Sequence, residues 1–595
     1  AIFANVGDQL DSGRLYRNAL AWASGIADQS VRIVTPSAGT RTWLIAQGYT
    51  QVTLRSDWQN ALGSADVLVT ELGRSVSPAQ QQAVASFVTA GGGLITGGTG
   101  WGYASLGSDL TTLPGNQVLR QAGLAWTDGF RGSGTQLYSS TELGNATAAL
   151  AMVNDLWAGG SASASQQAEA GKSLQAVLSV LPDDDPLMLQ IEQAFSARAA
   201  SVAATPATPV SNALDKSVLT WEAQRLLDVP LDQIVAHTTA DAVYGVVPPA
   251  ASREAATVVI DGDPSGWLAT GYYAAPGEIV TIEFPQAMVG RGFRVQLSGH
   301  VDNISSRDSW SRLPFGVARS FDINAATVRV GSAFGGAIYV DVGKTPAGLG
   351  EVVLNVAGAV AAPRFVLGRT TNEEWLASQR DNPAPYAELV SEGVAMSVPS
   401  AWIRDLDDPT ALMTYWNEAT AREDYVGALE TFRSGPERFN VDVQISAGLL
   451  HAGYPIQGPT WASEELVDLE SLLREGNWGY FHELGHEMQR RPDERYGNDN
   501  AYTFPGDVEV TVNIFANAAL EAMVAEPPLS GWGWSAYPKE VMLRASQTVH
   551  DAAAVGFDAK DPYPFYFQLA DGFGWDAYRQ VFAGYHDDFA NAPQL

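Results

Sequence analysis

Two of the seven histidines in this chain of 595 residues stand four positions apart, in the stretch GNWGYFHELGHEMQ of residues 476–489. Residues i and i+4 lie on the same face of a helix, so His482 and His486 can offer imidazole nitrogens to one metal ion. Glu483 follows the first histidine directly, where its carboxylate can hold a metal-bound water and take its proton. This is the H-E-x-x-H arrangement of zinc metallopeptidases, and the alternative is a chance match on a surface helix.

A catalytic zinc usually has three protein ligands and leaves its fourth position to water. The helical stretch DVEVTVNIFANAALEAM offers Glu509, and Asn513 lies on the same helix face as Glu509. Asp507 is the rival ligand, although its place at the start of the helix suits an N-cap or a first-turn acid. We predict that Glu509 is the third ligand. The other histidines lack a partner at ligand spacing, and we expect them to be structural or to support the ligands: His237, His300, His451, His550 and His586.

The composition limits the partners of the chain. Asp and Glu number 66 against 35 Lys and Arg, and a net charge of −31 repels nucleic acid and anionic lipid. No apolar run approaches the roughly 18 residues of a membrane-spanning helix, so no membrane partner is predicted. Cysteine is absent, so a metal must be held by histidine and carboxylate. The chain begins at Ala1 without a leader peptide, which indicates either trimming or an artificial start.

The first 140 residues alternate short apolar runs with helical patterns, as in VRIVTP, ADVLVTEL and GGLITGG. That alternation predicts a parallel sheet flanked by helices, of the flavodoxin-like type. The region also resembles class I glutamine-amidotransferase-like domains, whose nucleophile is a cysteine on the turn after a strand. The corresponding turn GGTGWG, residues 97–102, has neither Cys nor Ser, so we interpret the domain as non-catalytic. A phosphate-binding glycine loop is the alternative.

Three further regions follow along the chain. Residues 141–245 are mostly helical and contain an Ala/Ser/Thr/Pro-rich linker, so we interpret them as a helical connector. Residues 246–380 carry alternating strand patterns separated by turns, which predicts an antiparallel β-sandwich as accessory domain. Beyond Pro383 apolar residues recur at helical spacing, so residues 381–595 are predicted to form a mostly helical catalytic domain. The predicted fold class is therefore multidomain α+β.

A series of stretches is similar to the enhancin-like zinc metallopeptidases, a gluzincin family that includes mucin-degrading and O-glycoprotein-cleaving enzymes. Within that family the chain most resembles the bacterial immunomodulating metalloproteases. The stretches occur in family order: GWLATGYYAAPGE (266–278), DSWSRLPF (308–315), FGGAIYVDV (334–342), RFNVDVQISAGLLHAGYPI (438–456), GNWGYFHELGHEMQ (476–489) and EVTVNIFAN (509–517). The resemblance implies that the sandwich packs against the catalytic domain and that both form one functional unit.

Carried over by position, the resemblance implies one zinc ion held by His482, His486 and Glu509, with Glu483 as the general base. Trp478, in the glycine-flanked NWGY, either lines the cleft or belongs to the core. The predicted cofactor is therefore a single Zn²⁺.

Substrate contacts are predicted around the same motif. His451 and Tyr454 in HAGYP are donors that can stabilise a tetrahedral oxyanion, or else polar groups of a buried turn. Gly335 and Gly336 either let a substrate backbone approach an edge strand or mark a β-bulge. Sugars can stack on aromatic rings while polar groups bind their hydroxyls, and the candidates are Tyr454, Trp461, Trp478, Tyr480, Tyr502, Arg490 and Asn513.

We therefore expect a secreted, extracellular bacterial zinc endopeptidase that is a monomer. Its predicted substrates are O-glycosylated, mucin-like host proteins, cut on the N-terminal side of a glycosylated Ser or Thr. One alternative is a zinc peptidase for unglycosylated protein. Another is a glycan-binding adhesion protein with a vestigial zinc site. The intact Glu483 disfavours it, because a protein that has lost its catalytic activity does not require the general base.

Overall fold

The chain divides into two compact units. The computed structural model describes residues 12–129, 145–345, 347–490, 502–503, 508–524 and 563–587. The N-terminal unit comprises Ala1–Arg198 and Asn212–Trp221, and the C-terminal unit comprises Ala199–Ser211 and Glu222–Leu595. The boundaries predicted at residues 140, 245 and 380 stay predictions. Among the described residues, no helix is both long and apolar enough to cross a membrane.

The N-terminal unit contains a four-stranded sheet with the order β2-β1-β3-β4, in which all pairs are parallel. The central strands are buried on both faces because every residue in them is apolar or small. This agrees with the predicted parallel sheet, whereas the flavodoxin-like assignment stays a prediction. The strands are β1 (Ile33–Thr35), β2 (Val52–Leu54), β3 (Val67–Val69) and β4 (Gly93–Ile95).

Helices accompany this sheet and continue to the end of the unit. Two of them have capping boxes at their first turns, formed by Ser77 with Gln80 and by Ser163 with Gln166. Among the described residues, the helices of this unit are α1 (Ser12–Ser24), α2 (Ala38–Ala46), α3 (Pro78–Thr89), α4 (Gly100–Ser105), α5 (Pro114–Leu119), α6 (Ala146–Trp157), α7 (Ala164–Leu178) and α8 (Pro186–Ala199). The residues of α9 (Ala213–Asp228) are divided between the two units, and α10 (Ala240–Tyr244) belongs to the C-terminal unit.

The glycine-rich turn after β4 is closely packed. A Cβ at Gly98 would lie 2.6 Å from the ring of Trp126, and one at Gly100 would overlap the carbonyl oxygen of Thr127. The close approach of neighbouring chain segments therefore accounts for these glycines, and the non-catalytic interpretation of the domain stays a prediction.

In the C-terminal unit, eight antiparallel strands form one sheet, which we call the β domain (residues 254–361). Its order is β10-β7-β12-β6-β11-β8-β9, and β5 pairs with β12. The predicted antiparallel strands are present, and the sandwich arrangement stays a prediction. The strands are β5 (Glu254–Asp261), β6 (Trp267–Ala274), β7 (Ile279–Glu283), β8 (Arg294–Leu297), β9 (Arg319–Asp322), β10 (Thr327–Gly331), β11 (Gly336–Asp341) and β12 (Glu351–Ala361).

A second, mixed sheet follows directly in the chain, with the order β13-β14-β15-β16-β17. Only the β14–β15 pair is antiparallel. The prediction of a mostly helical region beyond Pro383 missed this sheet, because β15, β16 and β17 are buried on both faces and lack alternation. The strands are β13 (Arg364–Val366), β14 (Tyr386–Val390), β15 (Val394–Pro399), β16 (Glu437–Asp442) and β17 (Ile456–Pro459).

In the part of the C-terminal unit that the structure describes, helices accompany the mixed sheet, and α12, α15, α17 and α19 share one hydrophobic core with its strands. The helices are α11 (Asn372–Glu374), α12 (Pro409–Gly427), α13 (Thr460–Ser463), α14 (Leu469–Glu475), α15 (Trp478–Met488), α16 (Val508–Thr511), α17 (Asn513–Met523), α18 (Tyr563–Phe573) and α19 (Trp575–Asp587). Short 3₁₀ or π turns occur at Trp58–Ser64, Arg120–Ala122, Leu231–Gln233, Gln286–Met288, Trp375–Gln379, Ser400–Ile403 and Glu464–Val467.

Buried ion pairs join the β domain to the mixed sheet. Arg312 donates from Nε to Asp442 at the end of β16 over 3.0 Å, and both side chains are almost fully buried. Arg438 on β16 pairs with Glu388 over 2.8 Å and also donates to the carbonyl oxygen of Trp267 on β6. The ion pair of Arg312 with Asp442 and the hydrogen bond from Arg438 to Trp267 therefore cross between the two sheets, and because a buried charge without its partner is costly, they fix how the sheets meet within the unit.

Candidate metal centre

Helix α15 carries the two histidines. Its N-cap is Asn477, whose side chain accepts a hydrogen bond from the backbone N–H of Tyr480 over 3.1 Å. One face of the helix is buried in the hydrophobic core through Phe481, Leu484 and Met488. This burial fixes the rotation of the helix about its axis, and with it the direction in which the histidines point.

Helices α16 and α17 bring the third predicted ligand to α15. A Cβ at Gly485 would lie 3.0 Å from both Cγ2 and the carbonyl oxygen of Val512, and 3.2 Å from Cβ of Phe515. Only a glycine lets the helices approach this closely without displacement. Glu509, in the first turn of α16, therefore reaches the histidines.

The three predicted ligands converge. The Oε2 atom of Glu509 lies 3.2 Å from Nε2 of His482 and 3.5 Å from Nε2 of His486. The ligand atoms of all three residues lie within 4.8 Å of one another. Two atoms that each bind a tetrahedral zinc ion at about 2.1 Å lie about 3.4 Å apart, so the geometry fits a shared ion. The donor set of two imidazoles and one carboxylate fits zinc as well.

An amide oxygen lies behind each imidazole. Nδ1 of His482 is 3.3 Å from Oδ1 of Asn513, and Nδ1 of His486 is 2.8 Å from Oε1 of Gln489. The amide nitrogens are used elsewhere: Asn513 donates to the carbonyl oxygen of Glu509, and Gln489 donates to Thr511. Each Nδ1 therefore carries the hydrogen, which leaves Nε2 free to bind a metal.

Gln489 was missed by the sequence analysis. Its signal was present in HEMQ, because a side chain three positions after His486 lies on the same side of the helix. Asn513, which was predicted as a substrate contact, is buried and also accepts from Nε1 of Trp478 over 3.0 Å. The structure places it behind His482, and its predicted contact with substrate stays a prediction.

The ionisable groups of the centre shift one another's pKa values. Burial raises the pKa of the Glu483 carboxyl, and this effect is opposed by His482 and His486. Hydrogen bonds from His482 and His486 lower the pKa of Glu509 far below its usual value. Burial is the largest single influence on His486 and lowers its pKa, but the hydrogen bond to Glu509 and the charges of Glu483 and Glu509 together raise the pKa overall. The site thus holds one ionised carboxylate among basic nitrogens, with a buried carboxyl beside them.

His451 and Tyr454 lie on the loop before β17. His451 pairs with Gln457 of β17 through two backbone hydrogen bonds, which places it at the edge of the mixed sheet. The loop is tied to α15 because Oε1 of Glu487 accepts from the N–H of Gly453 over 2.8 Å. The hydroxyl of Tyr454 accepts from the backbone N–H of Trp267, so it faces the β domain.

The aromatic residues near the motif differ in exposure. Trp478 is half-buried, and its ring lies 4.7 Å from that of His482. Tyr480 and Tyr502 belong to the hydrophobic core, so they cannot stack on a sugar. Trp461 is 75% exposed and stays available for such a contact. Arg490, also predicted to bind sugar hydroxyls, is instead buried and paired with Glu487.

The remaining candidates have structural partners or lie outside the described residues. His300 is 3.3 Å from Asp442, His237 is 3.2 Å from Glu222, and His586 is 2.7 Å from the carbonyl oxygen of Gly427. A Cβ at Gly336 would lie 2.6 Å from the backbone nitrogen of Ser298, and one at Gly335 would overlap the carbonyl oxygen of Ala274. The two glycines thus allow close approach within the β domain. Asp507 and His550 lie outside the described residues.

Sequence models of known families match most of the C-terminal unit. Residues 358–593 match the model described as peptidase M60, enhancin and enhancin-like. Residues 249–355 match the model of the N-terminal domain of M60-like peptidases. The first match covers the mixed sheet and the candidate metal centre, and the second covers most of the β domain.

Several curated relatives of the chain are vertebrate proteins. The TRPM8 channel-associated factor homolog of Xenopus laevis is 29% identical over 535 residues, which are 86% of this chain and 56% of the relative. TRPM8 channel-associated factor 1 of Homo sapiens is 26% identical over 595 residues, which are 97% of this chain and 62% of the relative. The chain thus spans less than two thirds of the length of these relatives. The prediction of a secreted, extracellular bacterial protein is wrong, because these relatives are eukaryotic.

Solved structures also resemble the chain. The IMPa metallopeptidase from Pseudomonas aeruginosa is 15% identical, with a TM-score of 0.43, and the alignment covers 98% of this chain and 76% of that one. The same protein in complex with an O-glycopeptide gives a TM-score of 0.41 at 15% identity, with the same coverage.

Proposed function

The chain belongs to the M60 peptidase family, enhancin and enhancin-like, and on that premise we propose that it is a zinc-dependent endopeptidase. His482, His486 and Glu509 are the proposed ligands of one zinc ion, and Glu483 is the proposed general base. The observation that carries this proposal is the convergence of two Nε2 atoms on the same oxygen of Glu509, at distances that suit a shared ion.

The proposed mechanism assigns one task to each side chain. When bound, zinc supplies a Lewis acid that acidifies a water and polarises the scissile carbonyl. Glu483 accepts the proton of the attacking water on its carboxylate and delivers it to the nitrogen of the leaving amine. Burial raises the pKa of Glu483. A general acid–base catalyst works best when its pKa lies near the operating pH, so this shift favours both proton transfers. Asn513 and Gln489 hold the two imidazoles in the tautomer that binds metal.

We further propose that the substrate is a protein with O-linked sugars, cut on the N-terminal side of a glycosylated Ser or Thr. The support is the membership of the M60 family together with an exposed aromatic side chain, Trp461, that is free of the core. Sites with polar groups placed for sugar hydroxyls leave them unpaired when the sugar is missing, which can cost several orders of magnitude in rate.

The test is cleavage of one peptide sequence in two forms, with and without a single O-linked sugar. We expect zinc-dependent cleavage of the glycosylated form, loss of cleavage with a chelator, and full recovery on adding zinc. Glu483→Gln should keep zinc at wild-type content and lower kcat by at least about a thousandfold, because only the base is removed. Equal rates for the two peptides would contradict the sugar requirement and favour a peptidase for unglycosylated protein.

A second candidate is a binding protein without peptidase activity, because the vertebrate relatives are named as channel-associated factors. The presence of Glu483 next to an assembled ligand set disfavours it. The same assay separates the two candidates. The binding protein is supported if the wild-type protein holds zinc but cleaves neither peptide any faster than Glu483→Gln does.

A further inference from the structure

Two loops from different parts of the C-terminal unit meet near the metal centre. We call residues 298–318, between β8 and β9 of the β domain, the bridging loop. We call residues 443–455, between β16 and β17, the cleft loop. The cleft loop carries His451 and is tied to α15 through Gly453 and Glu487. A change in the bridging loop that moves the cleft loop can therefore also affect α15 and the metal centre.

Hydrogen bonds hold the two loops together along most of their length. The guanidinium of Arg307 donates to the carbonyl oxygen of Ile445 over 2.9 Å. Gln444 accepts from the N–H of Ser311 over 2.7 Å and donates to the carbonyl oxygen of Ser309 over 2.8 Å. These contacts use fixed backbone groups, so the cleft loop takes its position from the β domain.

Asp302 of the bridging loop contacts His451 of the cleft loop. Its side chain is 9% exposed, and its Oδ2 atom lies 3.0 Å from Nε2 of His451. The same oxygen accepts from the backbone N–H of Ser446 over 2.6 Å. The carboxylate is therefore fixed by the cleft loop on one side and faces the imidazole on the other.

The other ring nitrogen of His451 also faces an acceptor. Nδ1 lies 2.9 Å from the carbonyl oxygen of Ala452, which can only accept a hydrogen bond. A carboxylate oxygen likewise accepts, so both contacts are hydrogen bonds only when both ring nitrogens carry hydrogen. The two acceptors therefore favour the imidazolium form of His451 over the neutral ring, to whose Nε2 the hydroxyl of Ser446 could donate over 3.3 Å. Neutral imidazole would leave one of the two acceptors facing a lone pair.

The charged groups that act on this ring come from both sides. Burial lowers the pKa of His451, but the hydrogen bond and charge of Asp302 and the hydrogen bond to Ala452 outweigh it. The charge of Glu483, the proposed general base, raises this pKa as well. The side chain of His451 is 27% exposed, which leaves it accessible from the solvent side.

We infer that Asp302 is a positioning residue of the active site, through which the β domain holds His451 as an imidazolium at the rim of the metal centre. This inference deepens the proposed function and, for its catalytic part, rests on it. A fixed positive charge beside the general base stabilises negative charge that develops on the scissile carbonyl oxygen. The β domain thus contributes one electrostatic element of the catalytic site, although it supplies no ligand among the three proposed.

The first test measures the ionisation of His451 in the zinc-free protein, by NMR of histidine labelled with ¹³C at Cε1. The signal is assigned by its loss in His451→Gln. We expect Asp302→Asn to lower the titration midpoint of His451 by about one pH unit, because the carboxylate charge is removed. Asp322→Asn, an exposed aspartate at the end of β9, is the matched control and should leave the midpoint unchanged. An unchanged midpoint in Asp302→Asn would overturn the inference.

The second test separates positioning from folding. With the glycosylated peptide, Asp302→Asn should lower kcat by about tenfold or more while KM and zinc content stay near wild type. His451→Gln should give a similar loss, and the double variant should lose little more, because both changes act through one charge. Equal kcat values for Asp302→Asn and wild type would overturn the catalytic part. A wild-type protein that cleaves neither peptide contradicts the proposed function, and the histidine titration then still decides the pairing with Asp302.

Discussion

Each proposed histidine ligand is held from behind by an amide side chain. Asn513 and Gln489 present an oxygen to Nδ1 because their nitrogens already donate to the carbonyl oxygen of Glu509 and to Thr511. An amide that is fixed at both ends cannot rotate to offer its nitrogen instead. The orientation of each imidazole is thus settled by hydrogen bonds that reach into α16 and α17.

Replacing Gln489 by Leu should weaken zinc binding by about tenfold to a hundredfold, because His486 loses the acceptor that fixes its tautomer. Zinc affinity is measured by competition with a chromogenic chelator. Gln296→Leu is the matched control, since Gln296 is a buried glutamine of β8 with hydrogen bonds of its own. The control should lower stability without changing zinc affinity, and equal losses of affinity in both variants would contradict the assignment.

The third ligand is tested against its neighbour in sequence. Glu509→Ala should sharply lower zinc content after dialysis, because two imidazoles alone hold the ion weakly. Asp507→Ala should keep its zinc and cost about 1 kcal/mol of helix capping at most. Elemental analysis of both variants decides the matter, and the reverse pattern would move the ligand to Asp507.

At the scale of elements, the approach of α15 to α17 governs the site. Gly485→Ala should move α15 away from Val512 and Phe515 and destabilise the protein by about 1–3 kcal/mol, with weaker zinc binding. Gly584→Ala in α19 is the control, because a Cβ there meets nothing within 4 Å. That change should be neutral or stabilise by about 0.5–1 kcal/mol. Denaturant unfolding and zinc titration test both, and equal stability of the two variants would argue against close helix packing.

The elements differ in how far the sequence could predict them. The apolar runs of β1 and β3 stood between helical patterns, and the structure shows the expected parallel pairing. By contrast, β15 and β16 were read as part of a helical region, because strands buried on both faces show no period of two. Their burial comes from packing against distant segments such as α12, which no local pattern reveals.

The candidate site shows the same contrast. The spacing of His482 and His486 fixes their common face locally, so it could be predicted from the sequence. The prediction of Glu509 as third ligand depended on recognising a helix further along the chain. In the structure, the carboxylate of Glu509 lies beside both histidines. Asp302 lies 149 residues before His451, and no pattern in the sequence connects them. Such contacts between loops depend on tertiary packing and are visible only in the structure.

At the scale of the whole molecule, the M60-like N-terminal domain and the M60 catalytic domain form one multidomain protein with the preceding α/β region. Arg312, Asp442, Arg438 and Glu388 are charged groups buried where the β domain meets the mixed sheet. Because Asp442 takes its counter-charge from the β domain, the mixed sheet is not expected to fold without that domain.

A truncation series tests this dependence. A chain that starts at residue 199 should bind one zinc ion and unfold cooperatively, because it contains the whole C-terminal unit. A chain that starts at residue 362 should bind none, since Asp442 then loses Arg312, at a cost of about 3–5 kcal/mol. Metal analysis and circular dichroism of both chains provide the measurement. Full zinc binding by the shorter chain would show that the β domain is dispensable for the centre.

Residues 199–211 belong to the C-terminal unit although the segments on both sides belong to the N-terminal unit. Within this segment, Val210 exchanges two backbone hydrogen bonds with Trp310. A ribosome delivers Val210 well before its partner, and at about 5–20 residues per second the wait is roughly 5 to 20 s. During that interval the segment has emerged without the strand-like partner it will keep. Residues 199–211 must therefore remain without this backbone pairing while helix α9, which follows them in the chain, is being synthesised.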